Sequence, residues 1–76
     1  MIAEGIKNLL AASPFRPFTV YMASEKPFKI PHPDFALLSP RGKTLFVAHD
    51  HDDAADILDV ALIARIEVHD TASSPS

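Results

Sequence analysis

The chain contains no cysteine and only two glycines among its 76 residues. Disulfides, thiolate zinc sites and cysteine nucleophiles are therefore excluded, and a secreted domain of this length would usually need such cross-links. Two glycines, at positions 5 and 42, are too few for a glycine-rich phosphate loop of the Rossmann or Walker type. We therefore expect a cytoplasmic protein, and the sequence predicts no cofactor.

Long apolar runs and positive charge are also scarce. Nowhere do 18 consecutive apolar residues occur, and residues 1–12 lack the apolar core of a secretory signal, so we predict neither export nor a membrane span. Seven lysines and arginines against ten acidic residues give a net charge of -3, which repels phosphate backbones on average. Binding of nucleic acid would need two hairpins to bring together a basic patch of Lys26, Lys29, Arg41 and Lys43.

The size of the chain predicts one domain with a thin core. A domain this small buries only about 60% of the surface that its unfolded form exposes. Its 47% apolar and 22% charged residues are typical of folded proteins, yet small domains without cross-links are marginally stable and often self-associate. We assign residues 1–69 to a single α+β domain and residues 70–76, which include no large apolar side chain, to a disordered tail.

Apolar periodicity predicts a helix and then a series of strands. One helical face carries apolar side chains at i, i+4, i+7 and i+8, namely Ile2, Ile6, Leu9 and Leu10. Because Pro14 ends this pattern, we predict a helix over residues 2–12 that docks its apolar face on a sheet. From residue 18 the period changes to two, and the predicted strands are 18–22, 28–30, 35–38 and 44–48.

The last apolar segment has two interpretations. Residues 58–68 alternate without a slip, so they form either one long strand or two strands joined by a tight corner near residues 60–62. We favour the corner, because it lets the sheet curl and hide its edges. Pro27 and Pro31 cannot donate ladder hydrogen bonds, which places the second strand at an edge. The predicted fold is an N-terminal helix followed by a five-stranded antiparallel meander that forms a small open barrel.

Parts of the sequence resemble known groups of proteins. Pro14-Phe15-Arg16-Pro17-Phe18-Thr19, His32-Pro33-Asp34-Phe35 and residues 57–68 resemble segments of a group of short, uncharacterised bacterial proteins, and the likeness spans residues 6–68. That group has no established activity, so the resemblance implies a single-domain bacterial protein and transfers no catalytic residues. The predicted topology also resembles the Sm-like and SH3-like small barrels, although fold alone does not fix function.

Residues 49–53 are the strongest candidate for chemistry. Imidazoles and carboxylates together can hold zinc or another divalent cation, so His49, His51 and Asp52 form a candidate metal site. On a strand end, His49 and His51 would point to the same side, but zinc would need a further ligand from elsewhere. The alternative is a solvated acidic loop between two strands. We favour it because the side chains of an open loop are rarely held in the geometry of a metal site before the metal binds.

Two segments are similar to known motifs but lack either a residue of the motif or its structural context. The histidine segment resembles the H-x-H-x-D-H motif of metallo-β-lactamase-like hydrolases, but Asp53-Ala54 stands where that motif has aspartate and histidine, and that fold needs a far longer chain. His32-Pro33-Asp34 is the tripeptide of J-domain co-chaperones, but the prolines before it forbid the helix that a J-domain places there. We interpret this tripeptide as a turn in which His32 packs on Phe35.

Aromatic side chains offer a further candidate surface. Most of them are expected in the core, whereas Tyr21 and Phe46 fall on the opposite face of their alternating strands and form, with His32, a candidate interaction surface. Because no catalytic constellation emerges, the leading prediction is a non-enzymatic module that binds itself or another protein. The alternatives are a metal-binding protein or metal-dependent enzyme that uses the histidine segment, and an Sm-like module that binds nucleic acid.

Overall fold

The computed structural model describes residues 2–49 and 51–69. Within these residues one helix precedes six strands: α1 (Ile2–Ala11), β1 (Phe18–Met22), β2 (Pro27–Ile30), β3 (Ala36–Leu38), β4 (Thr44–Ala48), β5 (Ala55–Asp59) and β6 (Ile63–Val68). Single 3-10 turns at Pro33–Phe35 and Val60–Leu62 precede β3 and β6. The predicted α+β class with an N-terminal helix is confirmed. The predicted tail, residues 70–76, lies outside the described residues.

The strands form two antiparallel sheets of three strands each. Sheet A has the order β2-β1-β6, and sheet B has the order β3-β4-β5. The prediction of five strands is wrong, since the four strands before residue 49 and the two strands on either side of the corner at Val60–Leu62 make six. The last two, β5 and β6, belong to different sheets. The corner itself is confirmed. The side chain of Asp59 stabilises it by accepting a hydrogen bond of 3.0 Å from the backbone N–H of Ala61.

The predicted small open barrel of Sm-like or SH3-like type is not supported, since the two sheets do not close on one another. The connection between β2 and β3 gives a physical reason. It contains Pro31 and Pro33, which have no N–H to donate to a ladder, and a 3-10 turn replaces the strand pairing there. The expected edge position of β2 is confirmed.

Both sheets and the helix contribute to one hydrophobic core. Its buried members are Ile6, Phe18, Val20, Ile30, Leu45, Val47, Leu58, Val60 and Ile63. The turn before β4 lies close to α1, and a Cβ atom at Gly42 would be only 2.9 Å from the Cβ of Ala3. Gly42 also has a φ of +74°, which favours glycine. Among the helices of the described residues, none has the length and apolar character that crossing a membrane requires.

Candidate functional site

Large apolar side chains form a row across the outer face of sheet B. Antiparallel pairing sets Leu37 of β3 opposite Phe46 of β4, and Phe46 opposite Ile57 of β5. Their relative exposures are 66%, 39% and 71%. Successive side chains of a strand point to opposite sides of the sheet, so this row follows from burying Leu45, Val47 and Leu58 on the inner side. The row is therefore continuous over all three strands.

The rest of this face carries little charge. We define the outer face of sheet B by its seven outward positions: Leu37, Thr44, Phe46, Ala48, Ala55, Ile57 and Asp59. Asp59 is the single charged residue among them, and it lies at one end, paired across the strands with Thr44. Its carboxylate is also engaged by the hydrogen bond to Ala61. The centre of this face is therefore a solvent-exposed apolar strip without a charged side chain, which is typical of a contact surface.

The outer face of sheet A has the opposite character. The guanidinium carbon of Arg65 lies 3.8 Å from the centroid of the Tyr21 ring, and the Tyr21 hydroxyl donates a 3.0 Å hydrogen bond to Oε1 of Glu67. Beside them, Thr19 and His69 form a side-chain hydrogen bond of 2.8 Å. Charged and polar groups thus cover Tyr21, and this half-buried side chain is engaged within its own sheet.

The structure separates the three residues of the predicted aromatic interaction surface. Tyr21 belongs to sheet A, whereas Phe46 belongs to sheet B. His32 lies at the start of the 3-10 turn before β3, and its ring contacts Phe35 at 6.3 Å between centroids, as the turn interpretation predicts. Of the three, Phe46 alone lies in the apolar row.

The basic residues are also distributed over different places. Lys26 and Lys29 line an open cleft of about 500 Å³, together with His49, His51 and Asp56. Arg41 lines a separate cavity beside α1, and Lys43 lines cavities beside α1 and β5. The two pairs therefore do not share a cleft.

His49, His51 and Asp52 do come together, as the metal prediction requires. Each offers one ligand atom, and these atoms lie within 4.8 Å of one another. The rings of His49 and His51 stack with their centroids 5.3 Å apart. Asp52 is held in place because its Oδ1 accepts a 2.8 Å hydrogen bond from the backbone N–H of Ala54, and this bond lowers the pKa of the Asp52 carboxyl. We call these three residues with Asp56 the histidine cluster.

Asp56 completes the histidine cluster, although it is not among the three predicted metal ligands. Its Oδ2 lies 2.6 Å from Nε2 of His49, and this hydrogen bond raises the pKa of His49, opposed by partial burial of the ring. The pairing of β4 with β5 brings the two residues together although they are seven positions apart. Asp56 lies in β5, which begins at Ala55, before the alternating segment from residue 58 that the sequence indicated as strand.

A further cavity lies between α1 and the corner. It measures about 430 Å³ and is lined mostly by apolar side chains, including Ile2, Val60 and Ile63. No histidine lines it, so it is separate from the histidine cluster. Comparison of the chain with protein-family models, with curated proteins and with solved structures found no match in any of the three.

Proposed function

We propose that the protein is a small, non-enzymatic module whose function is to associate with a second copy of itself through the outer face of sheet B. The observation that carries this proposal is the continuous row of Leu37, Phe46 and Ile57. Exposed apolar patches with polar surroundings are a common mark of protein contact surfaces. The outer face of sheet A, covered by a charged network, provides no such patch.

The layout of charge favours a second copy as the occupant. A two-fold axis along the row places Phe46 against its counterpart, and it places Asp59 of one copy over Ala55 of the other. The two Asp59 carboxylates then lie at opposite ends, so the single charge on the face meets no like charge. An identical partner is therefore compatible with the face without any further adjustment.

The size of the face indicates a weak dimer. Three strands about 4.8 Å apart, of which β4 and β5 are five residues long and β3 is three, give a footprint of at most about 14 by 17 Å on each copy. Side chains make the surface uneven, but even if the area is doubled to allow for this, it stays below the roughly 800 Å² per partner of a standard interface. We therefore expect a dissociation constant between micromolar and millimolar and a rapid exchange between monomer and dimer.

Two matched leucine substitutions test this function. Leu37 lies in the row, and Leu62 lies in the corner outside it with a similar exposure of 55%. In sedimentation equilibrium over a wide range of concentration, the wild-type mass should rise above the 8.3 kDa of one chain, L37E should remain monomeric, and L62E should behave as the wild type. A wild-type protein that stays monomeric at millimolar concentration contradicts the proposal. An L62E protein whose dimer dissociates as fully as that of L37E contradicts it as well.

The two other candidate functions have less support. An Sm-like nucleic-acid module requires a barrel topology and a cluster of four basic residues, but the sheets do not close and the basic pairs line different cavities. A metal-dependent enzyme would need a substrate site in addition to a metal. The histidine cluster does offer an arrangement for a metal ion, which is a question separate from catalysis.

A further inference from the structure

The His49 ring has one nitrogen with a partner and one without. Its Nε2 and Oδ2 of Asp56 form a 2.6 Å hydrogen bond. Its Nδ1 is buried and makes no hydrogen bond within the described residues, although Oδ1 of Asp52 lies only 3.2 Å away. A buried polar atom without a hydrogen-bond partner is rare in folded proteins.

The hydrogen bond with Asp56 determines which nitrogen carries the proton. Because a carboxylate only accepts, Nε2 of His49 is the donor, and in the neutral ring Nδ1 then presents a lone pair. Nδ1 of His49 and Oδ1 of Asp52, both electron-rich, then lie 3.2 Å apart. A cation placed to one side of the line between them would satisfy both. A metal-bound histidine commonly donates its other N–H to a carboxylate, as His49 does here.

Two of the contacts between ligand atoms have lengths close to an edge of a tetrahedral metal site. Bonds of about 2.0–2.1 Å to nitrogen and oxygen give tetrahedral ligand-to-ligand distances of about 3.4 Å. His49 Nδ1 lies 3.2 Å from Oδ1 of Asp52, and His51 Nε2 lies 3.5 Å from Oδ2 of Asp52. Both contacts are close to the expected edge length, but they involve different oxygens of Asp52. One ligand atom from each of the three residues lies within 4.8 Å of the other two, so the side chains must rotate and draw together to share one ion.

We propose that His49, His51 and Asp52 bind one divalent ion of the zinc, cobalt and nickel class, with Asp56 as the residue that positions His49. Two imidazole nitrogens and one carboxylate suit these ions, whereas calcium and magnesium prefer oxygen ligands alone. Lys26 and Lys29 line the same cleft, and their positive charge opposes any cation there, so binding must rest on the bonds to the three ligands. The remaining coordination position is left for water or a small anion from the cleft.

Zinc and cobalt ions alone serve as probes on the full chain. Isothermal titration with zinc should show one equivalent bound, and the ring resonances of His49 and His51 should shift together in NMR spectra. Cobalt should develop the intense visible absorption of a tetrahedral site instead of the weak bands of the hydrated ion. These readouts do not depend on any catalytic activity.

Substitutions of exposed residues distinguish the site from general metal affinity. H51Q removes a ligand whose side chain is 75% exposed, and H32Q removes an exposed histidine outside the cluster, so neither should disturb the fold. We expect zinc affinity to fall at least tenfold in H51Q and in D52N and to stay unchanged in H32Q. D56N should weaken it by about 10–100-fold, since second-shell substitutions have effects of that size.

Each outcome bears on the site and not on the self-association proposed above. Absence of stoichiometric zinc binding in the wild type overturns the metal site, and so does an H51Q protein that binds as tightly as the wild type. A loss in H32Q equal to that in H51Q also contradicts it. Because the cluster lies outside the seven positions of the outer face of sheet B, L37E should bind zinc normally even where the dimer is lost.

Discussion

Replacing each of the two glycines by alanine should change the stability in opposite directions. Gly5 lies within α1, and a Cβ atom there would meet no heavy atom within 4 Å. Alanine is favoured over glycine in a helix interior by about 1 kcal/mol. Gly5→Ala should therefore raise the free energy of unfolding by about that amount, because no steric contact opposes the gain.

Gly42→Ala should lower the free energy of unfolding. Holding alanine in the left-handed region that Gly42 occupies costs about 1–2 kcal/mol. The smaller entropy of the unfolded chain returns about 0.4–1 kcal/mol. The added methyl group would also lie 2.9 Å from the Cβ of Ala3, so the turn or α1 must move apart. The net loss should be about 1 kcal/mol or more from these contributions together.

Urea unfolding followed by far-UV circular dichroism measures both changes, at a protein concentration low enough to keep the chain monomeric. In a domain of this size about 1 kcal/mol corresponds to a shift of roughly 4–8 °C in the melting temperature. Gly42→Asn separates the two causes, since asparagine tolerates the left-handed region but still carries a Cβ atom. A Gly42→Ala protein as stable as the wild type would refute the description of this turn, and a destabilised Gly5→Ala protein would refute that of α1.

Five further substitutions, at four positions, test the core, the corner and the two outer faces. Leu45→Ala, at a fully buried position, should lower the free energy of unfolding in urea by about 2–5 kcal/mol, whereas Ile57→Ala on the outer face of sheet B should change it by only about 0.5 kcal/mol. Asp59→Ala should destabilise the corner by about 0.5–2 kcal/mol, but Asp59→Asn keeps an acceptor for Ala61. Asp59→Asn should also tighten the dimer in sedimentation experiments, because it removes the single charge of that face. Arg65→Ala should cost about 0.5–1 kcal/mol through the lost contact with Tyr21, and an unchanged urea midpoint would contradict this.

The local part of the fold was predictable from the sequence, but the pairing of distant strands was not. The limits of β1 and β4 agree with the alternation of apolar residues, because the period and the flanking turn residues are properties of short segments. The pairing of β1 with β6 joins Phe18 to Val68 and so creates sheet A. Such a contact depends on how the whole chain packs, and counting strands in order along the sequence therefore led to a single meander.

The candidate sites show the same division. His49, His51 and Asp52 are neighbours in sequence, so their proximity was predictable, whereas Asp56 joins them only through the pairing of β4 with β5. Alternation correctly placed Phe46 on an outward face. It did not show that Leu37 and Ile57 continue the row on both sides, since this depends on register across three strands.

The apolar row on the outer face of sheet B determines how strongly the protein self-associates. Burial of six large apolar side chains, three from each copy, is worth at most about 1.5–3 kcal/mol per side chain, and less here because each is already partly covered. Association itself costs about 4–15 kcal/mol in lost translational and rotational freedom. The two quantities are of similar size, so the dimer is weak and each member of the row matters. One glutamate at Leu37 removes two of the six apolar side chains and adds two charges to the interface, which is enough to favour the monomer.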